Sequence, residues 1–107
     1  MPDRVGADVV KLFLRAQNLE QLGRVDEAVE LYEIALENGF DSSGPYDRLI
    51  FIYSDRARHD DVVRVTEAAI EHVHTYDDKR AWYERMRAEA LKARSAVPKA
   101  VPKKRSH

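Results

Sequence analysis

Shifting the chain by 34 residues lays its first half on its second. Leu12, Ala16, Leu19, Ala28, Tyr32 and Ala35 then fall on Tyr46, Ile50, Tyr53, Val62, Thr66 and Ala69. A repeat of this length suits one helical hairpin, and a lone hairpin cannot bury its apolar face, so the two copies must stack on each other. That requirement makes an all-α fold the expectation before any other feature is weighed.

The chain breakers divide the 107 residues into helix-sized pieces: Gly23, Gly39 and the pair Gly44-Pro45, with none further until Pro98. A first helix is predicted from about Asp8 to Leu22, with Leu12, Ala16 and Leu19 on one stripe. A second should run from about Asp26 to Asn38, with Asp26, Glu27 and Glu30 near its positive end and Gly39 as its C-terminal cap. The third starts around Ser43, Gly44 and Pro45, proline suiting a first turn whose N–H groups are unpaired anyway. The turn before the fourth has no glycine, so His59 or Asp60 is expected to cap it, ahead of Val62, Val65, Ala69 and Val73. Thr75 and Asp78 make a capping-box variant that opens a fifth helix over about 77–97, with Trp82, Met86, Ala90 and Ala93 inward. Residues 98–107 hold two prolines, four cations and no periodicity, which predicts a disordered basic tail.

Composition removes several classes of function. The chain has no cysteine, hence no disulfide and no thiolate chemistry, which fits a cytoplasmic location. No stretch approaches the roughly 18 apolar residues of a membrane span, and the N-terminal residues lack a signal-peptide core. Net charge is -1, but it is unevenly laid out: residues 1–78 carry 8 basic and 17 acidic side chains, residues 79–107 carry 10 basic and 2 acidic. An acidic body is followed by a basic C-terminal quarter.

The run from Gly23 through Ala28 and Tyr32 to Ala35-Leu36 resembles the second half of the tetratricopeptide repeat motif. The likeness covers about Val9 to His74. Arg15 stands where the family has leucine, Thr66 where it has an aromatic, and Phe40 and His74 where it has the closing proline. The resemblance implies a helical domain over 1–97. This would be a right-handed stack of two antiparallel hairpins (about 9–42 and 43–76), an α-solenoid fragment closed by a fifth capping helix. It also implies that the first helix of each hairpin lines a concave groove for a peptide or helix of another protein. Carried over, the groove positions are Val10, Phe13, Gln17 and Glu20, then Asp47, Phe51, Ser54 and Asp55. At the positions where some members clamp a peptide carboxylate stand Phe13, Gln17, Arg48 and Asp78, of which only Arg48 is cationic, so that mode is not expected.

Three further readings compete. Phe13 and Phe51 also suit a core position, because aromatic residues at helical spacing complete cores. Arg80, Arg87 and Arg94 on one flank of the fifth helix, with Lys103, Lys104 and Arg105 beyond, would suit contact with the phosphates of a nucleic acid, or simply offset the acidic body. The uncapped apolar side of the first helix, Val5, Val9 and Leu14, or the opposite charges of two copies, would suit a homodimer. His72 and His74 lie two residues apart and point to different faces of a helix, so no metal site is expected. No cofactor is expected either, nor an enzyme: the sequence offers no phosphate loop and no nucleophile paired with a base.

Overall fold

A computed structural model describes the backbone at 2–73 and 77–100, and the side chains at 9–73 and 79–96. Among the described residues there are five helices and no strand: α1 (Pro2–Gln21), α2 (Val25–Glu37), α3 (Gly44–Asp55), α4 (His59–His72) and α5 (Asp77–Ala100). None is long and apolar enough to cross a membrane. The Thr75/Asp78 cap, His74 and residues 101–107 with Lys103, Lys104 and Arg105 lie outside the described residues.

The 34-residue interval is present in three dimensions. α1 ends at Gln21 and α3 at Asp55; α2 opens at Val25 and α4 at His59. Between them, Gly23 (φ 83°) and Ala57 (φ 57°) both adopt the left-handed conformation. Each sits in the same double-bonded C-terminal cap. In the first, Arg24 N–H donates to Leu19 C=O (2.9 Å) and Gly23 N–H to Glu20 C=O (3.0 Å). In the second, Arg58 N–H donates to Tyr53 C=O (2.8 Å) and Ala57 N–H to Ser54 C=O (3.1 Å). The caps are followed by matching ion pairs, Arg24–Glu27 and Arg58–Asp61. Hence the glycine-free turn is the same turn, held by backbone bonds rather than by His59 or Asp60; Arg58 is the N-cap of α4 and makes no side-chain cap bond.

Small residues mark the helix contacts. Ala16, Ala28, Ala35 and Ala69 are fully buried, which lets axes approach closely while Tyr32, Tyr46, Leu49, Ile50, Val62 and Val65 fill the space between. α3 is the central element, with Pro45, Tyr46, Leu49, Ile50, Ile52 and Tyr53 all buried. Thr66, the one buried polar residue among those described, satisfies its hydroxyl by donating to Val63 C=O at 2.9 Å.

Two boundaries move from their expected places. α1 starts at Pro2, a full turn and more before Asp8, since proline is well tolerated in a first turn. α5 runs on through Pro98 to Ala100; proline's φ fits a helix, and the bond and carbonyl clearance that its ring costs fall only on the last turn of the helix. Val9 is buried, so it belongs to the core and not to a free face of α1.

Two substitutions test this packing. Ala28→Arg drives a charged chain into a closed helix contact and should cost several kcal/mol, on the scale of the whole stability of a small domain, so the cooperative thermal transition should disappear. An unchanged melting temperature would refute the hairpin packing. Ala57→Gly keeps the exposed turn but removes the left-handed strain, and should stabilise by about 1 kcal/mol in a denaturant titration.

Candidate functional site

Two hollows open side by side along α1 and α3. The larger, about 510 Å³, is lined by Glu20, Val25, Arg48, Phe51, Ile52, Asp55 and Arg56. The smaller, about 260 Å³, is lined by Gln17, Glu20, Gln21, Tyr32 and Arg48. They share Glu20 and Arg48, so one ion pair forms the saddle between them and the two make a single groove.

That saddle is built by three helices. Arg48 of α3 reaches Glu20 of α1 with both its Nε, at 3.1 Å, and a terminal nitrogen, while Tyr32 of α2 donates its phenol to the same carboxylate at 2.7 Å. The Arg48 guanidinium holds the Glu20 carboxyl below its ordinary value of 4.5, against the opposing effect of partial burial. Burial, reinforced by the carboxylate, pushes the Tyr32 phenol upward, so it stays a donor.

Phe51 sits one turn beyond Arg48 and is 52% exposed. Its ring lies 5.6 Å from the Arg48 guanidinium and 5.8 Å from the Trp82 ring of α5. Trp82 in turn carries Lys79 Nζ at 4.3 Å from its centroid. An apolar surface flanked by cations therefore continues from the groove onto α5.

The sequence-derived groove positions separate into distinct fates. Gln17, Glu20, Phe51 and Asp55 line the groove together. Val10 is exposed about two turns further up α1. Phe13 packs against the core, its ring 6.0 Å from those of Tyr32 and Phe40. Its seat is Gly44: a Cβ there would fall 2.3 Å from the Phe13 ring. Asp47 is engaged internally by Lys79 and Tyr83, both at 2.8 Å. Ser54 faces a different hollow of about 230 Å³, with His59, Val62, Met86, Glu89, Ala90 and Ala93. Sequence reasoning missed Gln21, Val25, Ile52 and Arg56 as lining residues, and it missed Trp82 as the neighbour of Phe51; an aromatic at 82 on the same stripe as Met86 was the available signal for the last.

The basic strip looks different once its partners are placed. Arg80 pairs with Glu84 (3.1 Å), Arg87 with Glu67 (2.9 Å) and Arg94 with Asp60 (2.9 Å). Tyr83 beside it is buried. Among the described residues no group of three or more histidine, aspartate or glutamate side chains is arranged to hold a metal. No family model, no curated protein and no solved structure matches the chain.

The saddle predicts a pH signature. A carboxyl depressed in the folded state contributes stability above its unfolded pKa and loses it as pH falls through the folded value. Glu20→Gln should therefore cost about 1 kcal/mol at neutral pH, a modest figure because the pair is partly exposed. The gap between the melting curves of parent and variant should shrink as pH falls from neutral through and below the ordinary carboxylate range. A gap of constant size across that range would show that Glu20 does not act through its charge.

Proposed function

We propose that this chain is a protein-binding module of the tetratricopeptide kind, a right-handed stack of two hairpins closed by α5, whose groove takes a peptide or helix from another protein. Phe51 carries this reading. A phenylalanine more than half exposed, at the edge of a 510 Å³ hollow and between Arg48 and Trp82, is what an apolar anchor residue of a partner would cover. Around it Asp55 and Arg56 supply a polar rim, and Arg56 is itself held by Asp26 at 2.9 Å. An extended or helical segment with one large apolar residue, flanked by groups that can bond to that rim, fits such a site. Recognition is the proposed role, with Glu20, Arg48 and Tyr32 already bonded to one another in the saddle.

The test is selection of peptides from a random library on the immobilised chain, followed by titration against parent and Phe51→Asp. Binding should weaken by about tenfold or more, with the helical circular dichroism unchanged because Phe51 lies outside the buried core. Equal affinity of a correctly folded variant would place recognition elsewhere.

A further inference from the structure

The exposed large apolar residues are concentrated at one end of the molecule. Besides Phe51, those among the described residues are Val10 (42%), Leu14 (56%) and Leu22 (65%) on α1 and its turn, and Ile34 (38%) on α2. The opposite end is finished differently: the exposed side of α5 presents Ala81, Glu84, Arg85, Ala88 and Lys92, alanine and charge that water solvates well. The α1–α2 hairpin thus leaves an apolar face where the other end is dressed for solvent.

The same hairpin carries two uncompensated rows of charge. Lys11 and Arg15 are exposed on α1, Glu30 and Glu37 on α2, and none of the four is in an ion pair with any described residue. These rows lie at matching depths below the turn. Counting from Gly23, Arg15 is 8 residues before and Glu30 is 7 after; Lys11 is 12 before and Glu37 is 14 after; Leu14 is 9 before and Ile34 is 11 after. A twofold axis parallel to the helices preserves depth and lays α1 of one copy over α2 of the other. Basic row then meets acidic row at the same level, and Leu14 meets Ile34.

We propose that this face is a self-association surface, on which a second copy of the chain packs its own α1–α2 hairpin across such an axis. The self-complementarity of charge selects the second copy over an unrelated partner, whose acidic and basic rows would have to match both helices at once. Two helices about 20–30 Å long offer on the order of 500 Å² per copy, somewhat below the usual 800 Å², the size of a weak, concentration-dependent association. This surface lies outside the Phe51 groove and stands or falls independently of the peptide-binding reading.

Sedimentation of the full chain from about 1 µM to about 1 mM should show mass rising from 12.3 kDa toward twice that. Leu14→Glu and Leu22→Glu, both more than half exposed, should each weaken association about tenfold or more without altering the melting temperature of the dilute protein. Reversing the basic row alone (K11E with R15E) should weaken it likewise, and adding E30K with E37K should restore it. A monomer at every concentration would overturn the proposal and leave the face to a different protein. So would a dimer indifferent to Leu14→Glu, or one broken by Phe51→Asp instead, which would put the contact in the groove.

Discussion

Three phenols, each bonded to a carboxylate that also holds a cation, join the helices of this fold. Tyr32 and Arg48 converge on Glu20, Tyr53 and Arg64 on Glu33, and Tyr83 and Lys79 on Asp47. Each node draws on at least two helices, and the first two draw on three. A buried tyrosine contributes a large apolar area but brings a hydroxyl that cannot be left unbonded. Placing the acceptor at the rim, where it stays partly hydrated and takes a cation on its remaining lone pairs, satisfies all three groups without a fully buried charge. No buried side-chain polar atom among those described lacks a partner.

The nodes also fix the groove. Glu20 and Arg48 are at once a node and the saddle between the hollows, and Asp47, the residue before Arg48, anchors α5 from the other flank of α3. Tyr83 in that second node is the neighbour of Trp82, so the bond that seats α5 also sets the wall beside Phe51. A wall assembled from such crosslinks is already in place, which would lower the ordering cost of the proposed peptide binding.

The hairpins were legible in the sequence because their signals are local. Gly23 and Gly39 act within a turn of their own position, and the small residues at 16, 28, 35 and 69 declare themselves by helical spacing before the contacts they make are known. The groove was only partly legible because a helix face names its residues without saying which of them are committed inside. Glu20 and Arg48 are 28 residues apart and Asp47 and Tyr83 are 36 apart; no periodicity links such pairs. The two phenylalanines make the same point. In the 34-residue register Phe13 falls on Asp47 and Phe51 on Gln17; the missing side chain at Gly44 makes a seat for Phe13 against the core, while the ring of Phe51 stays at the surface. That one-turn offset is visible in the repeat, but no local signal links Phe13 to Gly44, which lies in another helix.

Charge is where sequence and structure diverge most instructively. Read along the chain, an acidic body precedes a basic quarter whose 10 cations have only 2 acidic side chains among them. In space α5 folds back so that Lys79, Arg87 and Arg94, about two turns apart on one face, meet Asp47, Glu67 and Asp60 in succession. Ion pairs this exposed add little stability individually; the docking energy of α5 comes from Tyr83, Ala90 and the partly buried Trp82, Met86 and Leu91. What the pairs supply is alignment, since sliding α5 by one turn would set its cations against the wrong partners. The same alignment lowers the positive field that this helix offers to phosphates. It leaves the uncharged ring of Phe51, with Trp82 held beside it, as the more accessible feature of that side of the molecule.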